Sequence, residues 1–560
     1  MKRRRLGIAI AGLLIGLFLI ANRGAYGGYF SGDDLDNIGW TPSAPLSTFA
    51  LGIVSPQYYP QHFRPMGHLT FYLLATTARL RYKPYIGAVH LLHLVNAFLV
   101  WLLLRRLAFS DRASLAGVLF FLFPMAVFDA LWKPMYLFDV WCCLFTLLCL
   151  LQWISGRWLL SLAFFWLAYK SKEHAVMIPL ALAAYEYWLG ERRWKRLAPF
   201  FAIAASFTLQ AAWMNKDAGA DYTLQFSLPA LIRTLSFYTS RALIWPYFGL
   251  LIPFLPRLFP ERRLDFGIGL FALLLVPLLA LPARMNAAYL YVSYAGLAIA
   301  AAAASARFHW AWTAAALAFW IPFNYAEMRV QRKAALTHAE ENRIYVRAVG
   351  ELVSAQPAIR RFIYDGYPPD IHPWGIQGAL RIASQAMEIE LVSVEDKNLN
   401  AMFDSGALAM LSWDQRFRKL TAVTRSPGEQ DQPYLSMSRT MPVWQLEKGW
   451  YQAEGKFRWT GPQATARLWR PARATVFQLE VNVGPKYISD VRLSRVRVTV
   501  DGEPIGSAEF TEPGWRTVRW PVKPGEAKTV RVELRTEPEY RPSSTDPRLL
   551  GIAVGGFGFQ

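Results

Sequence analysis

Residues 6–37 read LGIAIAGLLIGLFLIANRGAYGGYFSGDDLDN. The first part of this stretch, from Leu6 to Ala21, is an apolar run long enough to cross, or nearly cross, a bilayer. Three carboxylates follow shortly after it: Asp33, Asp34 and Asp36. The basic leader at 2–5 precedes the run, and basic residues favour the cytoplasmic side. The stretch therefore predicts a membrane helix that is followed by an acidic cluster at the extracytoplasmic membrane surface.

The leader and the apolar run also have the plan of a signal peptide. No small-x-small cleavage site follows them, which favours an uncleaved anchor. Under either interpretation the acidic cluster lies outside. An acidic cluster at the rim of a helical bundle suggests function, whereas a solvated loop after a helix is the simpler alternative.

The composition indicates a membrane protein with a soluble part. The chain has 560 residues, of which 54% are hydrophobic, and the apolar residues concentrate before Tyr325. The formal net charge is +20 at pH 7. Many basic residues lie in short loops between apolar spans, so we attribute the charge to membrane topology and expect no nucleic-acid partner. The three cysteines lie together in one apolar span, which excludes a disulfide framework in the soluble part.

The apolar runs predict about eleven membrane spans in residues 1–325. They are 6–22, 86–104, 113–128, 135–154, 158–169, 174–190, 197–213, 230–255, 266–281, 286–305 and 309–325. A long outer loop, 23–85, separates the first two spans. The loops that this count makes cytoplasmic hold the basic clusters, at 2–5, 105–112, 191–196 and 257–263. We therefore expect a multi-pass protein of a bacterial inner (plasma) membrane, with a cytoplasmic amino terminus and extracytoplasmic carboxyl-terminal domains.

After the last span the pattern changes twice. Residues 326–448 contain a predicted strand at 361–365, a helix at 375–387 and a strand at 388–394, which predicts a small α/β region. From Gly449 to the end, short alternating runs are separated by turn signals such as Asp501-Gly502. This pattern predicts a β-sandwich over 449–560.

The predicted topology brings polar side chains to one membrane face. They come from the first outer loop and from the outer ends of later spans: Asp33, Asp34, Arg64, Asp129, Lys133, Lys172, Glu173, His174, Arg284 and Tyr289. Such a set can form a cavity for an anionic lipid head group, with cations on a phosphate and a carboxylate as base. The simpler alternative is a set of interface anchors, because Lys and Arg near helix ends commonly reach toward water.

Several familiar sites are absent from the sequence. There is no Walker motif, no dinucleotide fingerprint after a strand and no HExxH. His90 and His93 are one helical turn apart, but no nearby carboxylate completes a metal set, so we interpret them as hydrogen-bonded groups inside the bundle.

Short motifs in residues 1–325 resemble those of the GT-C glycosyltransferases, which include the protein O-mannosyltransferases and the aminoarabinose transferases of lipid A. They are Phe30-Ser31-Gly32-Asp33-Asp34 after the first span, Phe63-Arg64-Pro65, the run from His90 to Asn96, and Ser171-Lys172-Glu173 with Pro179. The segment from Gly449 resembles β-sandwiches appended to bacterial carbohydrate-active proteins; this resemblance implies no particular ligand and leaves carbohydrate binding open.

The resemblance implies transfer of a sugar from a polyprenyl-phosphate donor on the outer membrane face, with inversion at the anomeric carbon. It implies no metal cofactor. Asp33 or Asp34 would be the catalytic base. In extended backbone, adjacent side chains point in opposite directions, so only one of the two would face the acceptor. We prefer Asp34 by a narrow margin. Arg64, Lys172 and Arg284 would bind the donor phosphate, and Glu173 would orient Lys172 or the loop. His174, Asp129, Lys133 and Tyr289 would support them.

The expected partners are a lipid-linked sugar donor, membrane lipids and an acceptor that is a glycan, a lipid or a protein. Two other functions remain open. A transporter or flippase of a lipid-linked sugar would also need a polar cavity, but its charges would lie near the bilayer midplane and it would show repeat symmetry. A membrane-anchored polysaccharide-binding protein would need far fewer spans.

Overall fold

The computed structural model describes residues 2–57, 63–214, 224–243, 248–258, 260–392, 405–414, 417–424, 431–437, 443–454, 456–542 and 548–560. Small parts of the predicted first outer loop (58–62), of the eighth span (244–247) and of the strand at 388–394 lie outside these ranges. The chain divides into two compact units, Met1–Ala339 and Glu340–Gln560.

The first unit is helical. Its helices in chain order are α1 Lys2–Asn22, α2 Gly32–Trp40, α3 Leu46–Val54, α4 Pro65–Ala78, α5 Tyr82–Arg106, α6 Asp111–Leu122, α7 Phe128–Trp132, α8 Leu137–Ile154, α9 Trp158–Tyr169, α10 Ile178–Trp188, α11 Ala198–Met214, α12 Leu228–Ala242, α13 Leu255–Leu258, α14 Arg262–Leu279, α15 Leu290–Arg307 and α16 Trp310–Ala355. Short 3₁₀ turns join many of them. The long helix α16 continues from the first unit into the second, so the predicted domain boundary at 325/326 falls inside one helix.

Six segments of the described residues are long and apolar enough to cross a membrane. They are Arg5–Gly27, Tyr82–Arg106, Asp111–Trp132, Pro134–Ile154, Trp194–Met214 and Ala287–Arg307. The helix Trp158–Tyr169 is apolar but shorter. The structure thus has a membrane-type helical part, while the count of about eleven spans stays a prediction.

The six segments differ in how far they are enclosed by protein. In the segments that contain α8 and α15, 78% of the residues are buried, whereas only 11% are buried in the segment around α1. Helix α15 contains a run of alanines, whose small side chains let neighbouring helices approach closely. α8 and α15 therefore form the centre of the bundle, and α1 lies at its edge.

The second unit begins with a small mixed sheet. Its strands are β1 Arg361–Asp365, β2 Glu390–Leu391, β3 Leu408–Asp414 and β4 Lys419–Val423, in the order β2-β1-β3-β4. β1 pairs in parallel with β2 and with β3, whereas β4 is the antiparallel strand beside β3. Helix α17, Pro373–Ser384, connects β1 to β2. The predicted strand, helix and strand at 361–394 thus correspond to β1, α17 and β2.

The remainder of the second unit is rich in β-structure. Its strands are β5 Tyr434–Ser436, β6 Trp450–Ala453, β7 Arg458–Thr460, β8 Gln463–Arg470, β9 Val476–Val483, β10 Ser494–Val500, β11 Glu503–Phe510, β12 Gly514–Pro521, β13 Lys528–Glu537 and β14 Ala553–Phe559, with helix α18 Pro485–Val491 after β9. One sheet has the order β11-β10-β13-β8; the other has the order β12-β9-β14-β7-β6, with β5 beside β14.

Alternating side chains of both sheets meet in one apolar core, which includes Val496, Val532, Leu479 and Phe557. The alternation that predicted the strands also determines which side chains enter this core. We call these ten strands the two-sheet region.

Candidate active site

Asp34 lies in the first turn of helix α2 and takes part in its amino-terminal cap. Its Oδ2 accepts two hydrogen bonds of 2.8 Å, from the backbone N–H and from the hydroxyl of Ser31. The carboxylate thus satisfies a backbone N–H at the helix start, as in a capping box. The side chain is fully buried, and within the described residues its Oδ1 has no hydrogen-bond partner. Burial raises the pKa of Asp34 to about 7, although the bonds from Ser31 act in the opposite direction.

Asp33 lies one position earlier and is only half buried. The two aspartates lie in the first turn of a helix, not in the extended backbone that the sequence suggested, because the helix starts at Gly32 behind the Ser31 cap. Adjacent helical residues do not face each other, so the two side chains still diverge. The Asp33 carboxylate acts electrostatically on the hydroxyls of Tyr136 and Tyr289. Asp33 is therefore within electrostatic range of Tyr136 and Tyr289, whereas Asp34 interacts with Lys133.

Arg64 and Glu173 form a two-point ion pair. Nε of Arg64 donates to Oε1 of Glu173 at 3.0 Å, and Nη2 donates to Oε2 at 2.9 Å. Arg64 is the residue before α4, and Glu173 begins the 3₁₀ turn that precedes α10. Burial raises the pKa of Glu173, but the guanidinium of Arg64 outweighs it and holds the pKa at about 2. The pair is therefore ionised at neutral pH and ties the start of α4 to the loop after α9.

Lys172 pairs with a carboxylate that the sequence analysis did not select. Its Nζ lies 2.6 Å from both oxygens of Asp139, in the first turn of α8. Both side chains are buried, with exposed fractions of 8% for Lys172 and 1% for Asp139. The same ammonium lies 4.4 Å from the centre of the Tyr289 ring. Because a buried charge is costly without a partner, Asp139 supplies the counter-charge for Lys172.

Tyr289 lies among the charged side chains of the site. Its hydroxyl lies in the electrostatic field of Asp139, Arg64, Arg284 and Asp33. Asp139 in turn interacts electrostatically with Arg64 and Glu173. These interactions bring Asp33, Arg64, Lys172, Glu173, Arg284 and Tyr289 into one cluster with Asp139. The predicted base and the predicted cations, which come from distant parts of the sequence, thus share one end of the helical bundle.

The other predicted residues lie around this cluster. Asp129 and Lys133 face each other across one helical turn, with Nζ and Oδ1 4.0 Å apart, and Lys133 acts electrostatically on Asp34. His174 is buried, and its ring centre lies 6.1 Å from that of Tyr289. These three residues therefore border the cluster.

A sequence signal for Asp139 did exist. It is an ionisable residue inside an apolar run, and such residues face the protein interior and have partners. Lys170 carries a similar signal: it is buried, and its Nζ donates to the carbonyl of Gln57 at 3.1 Å. Lys170 thus fastens the segment after α3 to the same loop that carries Lys172.

The two histidines of α5 are hydrogen-bonded polar groups, as predicted. His90 contacts the hydroxyl of Tyr26 at 3.1 Å and the carbonyl of Leu131 at 3.1 Å. His93 contacts the hydroxyl of Tyr291 at 2.8 Å. Across the part of the chain that the structure describes, no group of three or more His, Cys, Asp or Glu is arranged to hold a metal ion.

A cavity of about 270 Å³ lies elsewhere in the first unit, between α1, α6, α7 and α16. Its walls are mainly apolar and include Leu17, Leu119, Phe128 and Met328. None of the predicted site residues lines it. This cavity is therefore distinct from the charged cluster.

A comparison with protein-family models gives no match, and a comparison with curated proteins gives none either. Among solved structures, the chain is similar to the crystal structure of ArnT from Cupriavidus metallidurans bound to undecaprenyl phosphate. The TM-score is 0.49 at 13% sequence identity, and the match covers 72% of this chain and 93% of that one.

Proposed function

We propose that the protein is a membrane glycosyltransferase that moves a sugar from a polyprenyl-phosphate donor to an acceptor hydroxyl on the extracytoplasmic side. In this proposal Asp33 is the base, and Arg64, Lys172 and Arg284 bind the donor phosphate. Asp34 shapes the start of α2, because its carboxylate is already engaged with Ser31.

The observation that carries the proposal is the cluster around Tyr289. One half-buried carboxylate and three cations, from four separate segments of the chain, lie within electrostatic reach of Tyr289. Charged side chains are costly to bury close to a membrane, so a cluster of them indicates a functional site. A phosphate leaving group and a hydroxyl that must lose a proton together require this combination of charges.

The reaction follows from these positions. Asp33 takes the proton of the acceptor hydroxyl as its oxygen attacks the anomeric carbon of the donor sugar. The bond between that carbon and the phosphate oxygen breaks, and the phosphate leaves with the electron pair. The cations stabilise the charge that develops on the phosphate. Attack opposite the leaving group inverts the anomeric carbon.

The two ion pairs leave hydrogen-bond donors for a phosphate. Lys172 has three N–H donors and Asp139 takes two of them. Arg64 has five donors, and in the described part of the chain Glu173 binds only those on Nε and Nη2. The carboxylates therefore orient the cations while a donor face stays available.

The test is an assay with the full chain in lipid nanodiscs. Undecaprenyl phosphate carrying radiolabelled glucose, mannose or aminoarabinose is supplied in separate reactions with an envelope lipid and glycan extract as acceptor. Release of undecaprenyl phosphate is then measured. We expect donor consumption by the wild type, and a loss of roughly 10²–10⁴-fold in Asp33→Asn, the range for removing a catalytic base.

Asp34→Asn is the matched control, since an amide oxygen can still accept the bonds from Ser31. It should retain transfer within about tenfold, a loss of under roughly 1.4 kcal/mol in barrier height. Full activity of Asp33→Asn would contradict its role as base. Sugar translocation into vesicles without donor consumption would favour a transporter over the transferase.

A further inference from the structure

One face of the two-sheet region carries an ordered array of polar and aromatic side chains. In β9, Phe477, Leu479 and Val481 enter the core, so Gln478, Glu480 and Asn482 occupy the opposite face. The register of β12 places Trp515 beside Asn482, Thr517 beside Glu480 and Arg519 beside Gln478. On the other side of β9, Gly556 and Gly558 of β14 continue two of these rows to Ser436 and Tyr434 of β5. We call these residues the tryptophan face.

Two glycines let the aromatic side chains of this face approach the sheet closely. A β-carbon on Gly555 would come within 2.5 Å of the Trp515 ring, and one on Gly556 would come within 2.5 Å of the Tyr434 hydroxyl. Both side chains therefore lie against the backbone of β14, where glycine leaves room for them. Trp515 also has an edge contact with Phe457 and remains 45% exposed, so part of its ring is accessible.

Fixed hydrogen-bonding groups extend from the other end of the face. Nε of Arg519 donates to Oε1 of Gln478 at 2.8 Å, and Nε2 of Gln478 donates to the Tyr434 hydroxyl at 3.4 Å. This chain crosses β12, β9 and β5, and orients an amide, a guanidinium and a phenol before any ligand arrives. Glu480 and Asn482 are partly exposed beside it and add two further acceptors.

The charge of the face selects the class of ligand. Glu480 and Arg519 carry opposite charges and come from neighbouring strands, so the tryptophan face is neutral, in a chain whose formal charge is +20. A neutral face does not attract an acidic polymer or an anionic lipid surface by charge. It complements an uncharged molecule that has an apolar side for the indole and many hydroxyls for the polar groups.

We propose that the tryptophan face binds a neutral oligosaccharide, which stacks one sugar ring on Trp515 and donates and accepts hydrogen bonds along the polar row. Four strands span roughly 14 Å at the usual strand spacing, which suits several linked sugar rings and exceeds a single one. The proposal does not rest on the transfer reaction, since the face is built from the second unit alone.

The test measures binding of cellohexaose and chitohexaose to the full chain by isothermal titration calorimetry, as wild type, Trp515→Ala and Trp374→Ala. Trp374 lies in α17 and is 44% exposed, so it matches Trp515 in residue type and exposure but lies outside the face. We expect the wild type to bind at least one of the two probes. Trp515→Ala should weaken that binding at least tenfold, and Trp374→Ala should leave it unchanged.

A second variant keeps Trp515 but changes the surface against which its ring packs. Gly555→Val places a branched side chain where the ring lies, so it should also weaken binding at least tenfold. Circular dichroism with unchanged β-content shows that each variant is folded. Absence of binding by the folded wild type, or equal binding by the wild type and Trp515→Ala, would overturn the proposal.

Discussion

At the residue scale, neighbouring side chains of the site differ in burial and in their partners. Asp33 and Asp34 are adjacent and chemically identical, but Asp33 is half buried and Asp34 is fully buried. Lys172 and Asp139 are far apart in sequence and form one buried pair. The role of each carboxylate thus follows from its surroundings more than from its identity, and substitutions can test this.

Asp34 should make stability depend on pH. Its pKa in the folded protein is about 7, well above the value of an aspartate in an unfolded chain. Between about pH 4 and pH 7 the unfolded chain therefore binds fewer protons, and wild-type stability falls as the pH rises. Asp34→Asn mimics the protonated acid, so its thermal midpoint relative to the wild type should rise over this window and level off above it. Thermal unfolding in detergent at pH 4.5, 6 and 7.5 checks this, and a constant difference would contradict it.

The buried Lys172–Asp139 pair should matter for both folding and function. Asp139→Leu leaves the ammonium buried without a counter-charge, which costs on the order of 3–5 kcal/mol. Replacing both residues, as Lys172→Met with Asp139→Leu, should restore most of this stability, because no buried charge remains. The double variant should still fail to bind donor phosphate. Thermal unfolding and donor binding, measured on the same samples, separate the two effects; donor binding by the double variant would contradict the role of Lys172.

At the element scale, the position of α4 determines where Arg64 lies. The ring of Phe138 in α8 packs where a side chain on Gly67 would be: a β-carbon there would lie 2.0 Å from a ring atom. α4 and α8 can approach this closely because residue 67 has no side chain. This approach holds Arg64, just before α4, near the start of α8, which carries Asp139.

Gly67→Ala should push α4 away from α8. We expect a loss of about 1–3 kcal/mol in stability from overpacking and weaker binding of the donor phosphate. Gly87→Ala in α5 is the control, because no atom lies within 4 Å of a β-carbon at that position and alanine favours the helix. Thermal unfolding and donor titration of both variants check this. Equal behaviour of the two would show that the close approach does not position Arg64.

At the scale of the whole molecule, the chain consists of two compact units, and each has its own core. Inside the second unit, Asp365 at the end of β1 accepts hydrogen bonds from both terminal nitrogens of Arg458 in β7, and Ser412 donates to it at 3.2 Å. The side chains of Asp365 and Arg458 are almost fully buried. This ion pair fastens the mixed sheet to the two-sheet region.

Asp365→Ala should therefore destabilise the second unit selectively. The remaining guanidinium would be buried without its partner, at a cost on the order of 3–5 kcal/mol. Scanning calorimetry should show a lowered transition for the second unit and an unchanged one for the helical unit. Donor binding at the Tyr289 cluster should also be unchanged. A single transition that moves as a whole would contradict the independence of the two units.

Sequence patterns predicted most elements because their causes are local. The apolar runs account for α5, α8 and α15, and the alternating runs account for β9, β10, β12 and β13. The helical start at Gly32 was missed, although Ser31 and Asp34 form a recognisable cap. Sequence patterns also did not fix the number of membrane spans. Short helices such as α9 and α10 are stabilised by packing against neighbouring helices, which a local pattern does not reveal.

The sequence by itself determined that the chain has a membrane-type helical part, a small α/β region and a β-rich end, and it supplied most residues of the candidate site. Periodicity and composition carry this information, because each residue's preference acts on its own segment. Only the tertiary structure decided that Asp34 is fully buried and that Asp139 is the partner of Lys172. The burial of Asp34 depends on how the helices pack, and the Lys172–Asp139 pair joins side chains more than thirty residues apart, so no local pattern encodes either.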